Sequence, residues 1–197
     1  MKKKLIISGM LLVSLGIIGC IFSGFAMPQL QLTLTTTSFN NGGKIPQQYS
    51  CDGENISPAL SWEVSDAAAV KSYVLIVDDP DAQKAVGKTF VHWIALMPAT
   101  VTELPQGISR SGAPANAVNR TIIELPNDDN EACYKGPCPP QGKGEHTYQF
   151  TLFAMNLSVE KLLQNNGLKA PYTAQQFQKV MQKNIVAQAQ ITGRYRR

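Results

Sequence analysis

Residues 134–155 read YKGPCPPQGKGEHTYQFTLFAM, a stiff loop running straight into a strand, and the architecture of the chain can be worked out from there. Pro137, Pro139 and Pro140 fix φ and remove backbone donors, while Gly136, Gly142 and Gly144 reach conformations closed to other residues. From Thr147 the residues alternate. Tyr148, Phe150, Leu152 and Ala154 fall on one face, and Gln149, Thr151, Phe153 and Met155 on the other, which predicts a central strand with both faces partly covered. A loop built so stiffly holds something in place, and His146 stands where it meets the strand.

The chain has one other histidine, His92, and its setting matches. Phe90, His92, Ile94 and Leu96 alternate with Val91, Trp93 and Ala95, again a strand. Ahead of it, residues 72–77 form another strand-like run that stops at Asp78-Asp79-Pro80-Asp81, where the proline forbids further pairing. Acidic groups and both histidines therefore gather at strand ends.

Elsewhere, Leu30, Leu32 and Leu34 alternate with polar residues as a half-buried strand, and Asn40-Asn41-Gly42-Gly43 turns the chain. Leu60, Trp62 and Val64 give a short strand, with Trp62 as core. Asn55 and Ser57 have the composition of loop caps, although both can also face a pocket. Residues 98–118 read as loop, and the Asp128, Asp129 and Glu131 cluster as a solvated loop lacking the oxygen spacing of a calcium site. Ser158 caps a short helix carrying Leu162 and Leu163 and stopped near Gly167. Thr173 and Gln176 form a capping box for a longer helix whose stripe is Phe177, Val180, Met181 and Ile185. Residues 190–195 close the chain as a strand, with Arg194, Arg196 and Arg197 solvated. The outcome is a mainly β chain, a sandwich with peripheral C-terminal helices.

The two histidine motifs resemble those of the phosphatidylethanolamine-binding protein family, which includes the Raf kinase inhibitor proteins and bacterial relatives. The first is Asp79-Pro80-Asp81-Ala82 leading to His92-Trp93. The second is Gly136-Pro137-Cys138-Pro139-Pro140 followed by Gly142, Gly144, His146 and Tyr148. Supporting matches run from residue 39 to 62 and through ITGRY at residues 191–195. Thr147 departs from the Arg usual in the family, and residues 119–133 follow no family pattern. The resemblance implies two antiparallel sheets with Greek-key connections and an anion pocket formed by Asp79, Asp81, His92, Pro140, His146 and Tyr148. Such a pocket accommodates phosphate groups such as the phosphoethanolamine head. Imidazoles, a phenol and free loop N–H groups can supply the donors a phosphate needs, and the aspartates can orient the histidines or meet an ammonium. Free imidazole and phosphomonoester both titrate near pH ~6 to ~6.5, so affinity is expected to change most there.

Inhibition of a kinase or protease through protein contact is the alternative role that the family implies. A metal-dependent hydrolase, with two His and two Asp on a divalent ion, is a further reading. Against it stand the missing nucleophile elbow and a family not known for catalysis, so no enzyme activity, metal or cofactor is expected. Cys51, Cys133 and Cys138 predict one disulfide with one cysteine over. Cys133–Cys138 is the local pairing, and the resemblance implies Cys51–Cys138 instead, joining two loops that border the pocket.

Residues 1–26 read as an export signal: Lys2, Lys3 and Lys4, then an apolar run from Leu5 to Ile18. The run ends Ile17-Ile18-Gly19-Cys20, which looks like a lipobox with Cys20 lipidated, anchoring a membrane-bound lipoprotein that faces the periplasm. Cleavage after Ala26 would give a soluble exported protein. The remainder, residues 27–197, is one domain in length and contains no further run able to cross a bilayer. The three signal lysines supply most of the formal net charge of +4, which leaves the mature chain near neutral with nothing to favour a nucleic-acid partner, and none is expected.

Overall fold

The computed structural model describes residues 30–110, 122–165 and 169–197. The expected export signal, Cys20 and Ala26, together with residues 111–118 of the long loop, residues 119–121 and the helix stop at Gly167, lie outside them.

Among the described residues, nine strands form two sheets. The smaller has the order β1 (Leu32–Thr35), β3 (Leu60–Val64), β6 (Glu103–Leu104). The larger has the order β2 (Gly43–Lys44), β9 (Ile185–Tyr195), β8 (His146–Met155), β4 (Ser72–Asp79), β5 (Phe90–Pro98), β7 (Ile123–Leu125). As its alternation requires, β8 lies inside the sheet, paired antiparallel to β4 and β9. All named pairings are antiparallel except β2 with β9, which is parallel. That corrects the expectation of two purely antiparallel sheets: Asn40 to Gly43 does turn the chain, with Gly42 at φ 73°, but it delivers Lys44 alongside Arg194.

The larger sheet is covered on both faces. Tyr73, Leu75, Val77, Trp93, Phe150, Leu152 and Ile191 pack with Leu34, Leu60, Trp62 and Leu104 of the smaller sheet. Val74, Ile76, Ile94, Leu96, Phe153 and Met155 on the opposite face meet Val159 and Leu162 of α2 (Val159–Leu163) and Phe177 and Met181 of α3 (Ala174–Met181). Burial of these side chains at about 1.5–3 kcal/mol each is the main force holding sheets and helices together. The capping box forms as expected, Thr173 accepting from Gln176 N and Gln176 from Thr173 N. The helical stripe, however, ends at Met181. Ile185 opens β9, which is longer than the six residues expected, and Val180 is 48% exposed.

Two further expectations change. Residues 98–110 contain β6, and Arg110 bridges to Ile56. The acidic cluster is only partly solvated. Asp128 is nearly buried, pairs with Lys88 at 2.6 Å and accepts from Val91 N at 2.7 Å, so it fastens the 126–135 loop to β5.

Candidate functional site

The strand order explains why residues far apart in sequence meet. In β8-β4-β5 both neighbours run antiparallel to β4, so the C-terminal end of β4 lies beside the starts of β5 and β8. Asp79 ends β4, His146 begins β8 with Tyr148 two residues on, and His92 sits near the start of β5. A register break refines this. The β4–β5 pairing steps from Val77 with Trp93 to Asp78 with Val91, leaving His92 without an opposite residue. Such a bulge re-aims side chains, and here it overrides the simple alternation read for β5, since Val91 joins Ile94 and Leu96 in the helix-side core. His92 meets Tyr148 edge-on, ring centroids 5.2 Å apart.

These side chains line a cavity of about 250 Å³, walled further by Phe90, Pro139, Pro140, Cys138, Lys135 and the short helix α1 (Gln83–Val86). That is smaller than the roughly 300–1,000 Å³ of pockets for drug-sized ligands and suits a compact polar group. Larger depressions, of about 530 Å³ on the smaller sheet and about 480 Å³ beside Lys44, Arg196 and Arg197, contain no histidine.

Both imidazoles are held by Nδ1. His146 Nδ1 lies 2.7 Å from Asp79 Oδ2, and His92 Nδ1 lies 2.8 Å from the carbonyl oxygen of Lys135. A carboxylate and a carbonyl accept, so each ring donates from Nδ1 and Nε2 is left for a ligand. His92 is almost wholly buried. Burial lowers its pKa to about 4, against the opposing pull of the Lys135 carbonyl and the Asp79 charge, so the ring is neutral near pH 7. Among the described residues the buried Tyr148 hydroxyl has no partner at hydrogen-bond distance; burial first, and then the nearby Asp79 charge, push its pKa up. Asp79 also accepts from Ala82 N at 3.2 Å, capping the 3-10 turn Pro80–Ala82 that leads into α1.

Asp81 is placed differently. It does not line the cavity; its Oδ2 accepts from Thr147 N at 2.8 Å and ties the turn to the start of β8. Thr147 lies opposite Arg194, whose guanidinium bonds to Gly42 O and Glu145. Arg197 is likewise paired, with Asp52 at 2.9 Å. The loop amides expected as donors are largely engaged: Gly136 N donates to Asn55 Oδ1 at 2.7 Å, Lys135 N to His92 O at 3.0 Å and Gly142 N to Arg197 O at 3.5 Å. A ligand's donors must therefore come mainly from side chains. Lys135, ion-paired with Asp129 on the cavity wall, is one that motif reading did not single out. Its position beside Gly136 was the available signal.

The wall is locked to the rest of the protein. Cys51 and Cys138 form a disulfide across 87 residues of sequence, and Cys51 N donates to Pro137 O at 3.1 Å. Cys133 lies outside the bridge, 3.7 Å from Glu131 Oε2. Asn55 proves to be a loop cap at φ 56°, and Ser57 accepts from Ser109 N. Among the described residues, no group of three or more His, Cys, Asp or Glu is arranged to hold a metal ion.

A two-sheet β protein with paired histidines in a small cavity at one sheet end is the class these features define. The sequence profile of the phosphatidylethanolamine-binding protein family matches residues 35–196. The UPF0098 protein PH1269 of Pyrococcus horikoshii is 37% identical over 187 residues, covering 94% of this chain and 85% of that one. A UPF0098 protein of Aquifex aeolicus is 40% identical over 161 residues, covering 81% and 85%. Among solved structures, E. coli YbcL, described as a new member of the mammalian PEBP family, superposes with a TM-score of 0.68 at 27% identity, covering 84% of this chain and 98% of its own. The putative PEBP homolog CT736 of Chlamydia trachomatis gives a TM-score of 0.64 at 30% identity, covering 84% and 97%. This chain belongs to the phosphatidylethanolamine-binding protein family.

Proposed function

We propose that the chain is an exported binding protein whose cavity takes a phosphate-bearing small molecule or lipid headgroup, phosphoethanolamine being the type ligand. The observation that carries this reading is the pair of imidazoles anchored at Nδ1 by Asp79 and by the Lys135 carbonyl, both with Nε2 left over in one small cavity. Tyr148 and Lys135 add hydrogens that an oxyanion can accept. Asp79 and Asp129 suit an ammonium beside the phosphate. The proline wall and the disulfide reduce the ordering cost of binding. The role is binding rather than catalysis.

The export part of the proposal rests on Lys2, Lys3 and Lys4, the apolar run and the lipobox-like end at Cys20, and an oxidising compartment suits the Cys51–Cys138 bridge. Mass analysis of the mature N-terminus tests it: a lipidated Cys20 supports the anchor, and an unmodified start at Met27 refutes it. We also read the alternation of the chain between the two sheets as Greek-key connection. The binding claim is tested by calorimetry with phosphoethanolamine and inorganic phosphate. Charge-assisted hydrogen bonds are worth about 1.5–3 kcal/mol, so His92→Ala or His146→Ala should each weaken binding roughly 10- to 100-fold. Equal binding by wild type and both variants would defeat the assignment.

A further inference from the structure

We propose, resting on the phosphate reading above, that the cavity takes its oxyanion in a hydrogen-bearing form and that His92 Nε2, with the Asp79 carboxylate, disfavours oxyanions that carry no hydrogen, such as sulfate. The Lys135 carbonyl oxygen can only accept, so the hydrogen of His92 is on Nδ1, and Nε2 of the neutral ring presents a lone pair. The ring is 5% exposed, and burial keeps it neutral far below pH 7. Asp79 is equally buried; each of its oxygens already accepts one hydrogen bond, from Ala82 N and His146 Nδ1, and each keeps acceptor capacity.

The groups that act on His92 are Asp79 from β4, His146 and Tyr148 from β8, and Asp128, Asp129 and Lys135 from the following loop; α1 contributes only apolar side chains to the cavity wall. Lys135 is neutralised by Asp129. Tyr148 and Lys135 still offer hydrogens to other ligand oxygens, but a ligand oxygen set against Nε2 and Asp79 without a hydrogen leaves buried lone pairs facing one another. Inorganic phosphate at about pH 6 keeps at least one hydrogen, and a phosphomonoester near its second pKa of about 6 is taken as the monoanion; sulfate has none to offer. Size and shape are nearly the same for the two inorganic ions, which differ in charge as well as in hydrogen; His92→Gln changes the partner at Nε2 without changing the charge of the site and so separates the two.

The test is calorimetry of the full chain at about pH 6 with inorganic phosphate and with sulfate, joined to ¹⁵N spectra of the imidazoles, which are simple because the chain has two histidines. Phosphate should bind at least about tenfold tighter than sulfate, with His92 in its Nδ1–H form in the complex. In His92→Gln, whose amide nitrogen can donate, sulfate should approach phosphate. Sulfate binding as tightly as phosphate, a directly protonated His92 Nε2 in the complex, or an unchanged preference in His92→Gln would overturn this inference and leave phosphate binding standing. If neither anion binds wild type, both readings fall.

Discussion

Replacing Asp78 with Asn should change how the fold responds to pH more than how stable it is at neutrality. Asp78 is buried on β4; its Oδ2 accepts from Ala174 N at 2.9 Å in the first turn of α3, and its Oδ1 has no partner among the described residues. Burial, reinforced by Asp79 and opposed by the Ala174 hydrogen bond, raises its pKa from 3.8 to about 6. A raised acid binds more protons folded than unfolded between those values, so its contribution favours the fold at low pH and is lost as pH rises through about 6. With 1.36 kcal/mol per pKa unit, the ionised form costs about 3 kcal/mol at neutral pH relative to the protonated form. Asn keeps the acceptor for Ala174 and removes the charge, but buries an amide donor that costs about 1–3 kcal/mol at every pH. The variant should therefore equal or modestly exceed wild type at pH ~7 and lose about 2 kcal/mol relative to it by pH ~4. Urea denaturation of both proteins, disulfide intact, at four pH values between these limits measures the difference. A difference that stays constant with pH would refute the reasoning.

His92 should show the opposite slope: with its pKa lowered from 6.5 to about 4, its contribution is fully present above pH 6.5 and is lost, by about 3 kcal/mol, as pH falls toward 4. In the same denaturation series His92→Gln should thus gain stability relative to wild type on acidification; a parallel curve would contradict the assignment of a neutral buried ring. At Gly136 an added Cβ would collide with the Tyr49 carbonyl and lie 2.8 Å from Ser50 Cα, so Gly136→Ala should cost about 1–3 kcal/mol in thermal or urea unfolding and weaken phosphate binding; a neutral effect on both would show that the wall yields. Reducing Cys51–Cys138 should lower stability by about 2–5 kcal/mol, read by denaturation with and without reductant, and unchanged stability would mean that the 87-residue span adds no constraint.

How far the sequence could be read follows from the range of the interactions involved. The alternation of β8 and the Thr173 capping box are local, and both appear as the pattern requires. Ile185 has helical spacing to Met181 and packs on the same helix-side core, so its contact was legible although its backbone belongs to β9. Strands β6 and β7, of two and three residues, are too short to show a period, and β2 exists only because β9 accepts it in parallel. In the cavity, Asp79 and both histidines were visible as motif residues at strand ends. Their finer placement was not: the bulge at His92 depends on pairing with β4, and Asp81 is drawn to Thr147 N, 66 residues away. Asp128 looked solvated because its partner, Val91 N, is 37 residues off in sequence.

A crystal structure of the chain grown with phosphate, with phosphoethanolamine as a second case, shows whether the histidine cavity is where the anion binds. Phosphorus density should appear inside the cavity, with ligand oxygens within hydrogen-bond distance of Nε2 of both His92 and His146. Phosphate found instead beside Lys44, Arg196 and Arg197, with the histidine cavity empty, would contradict it.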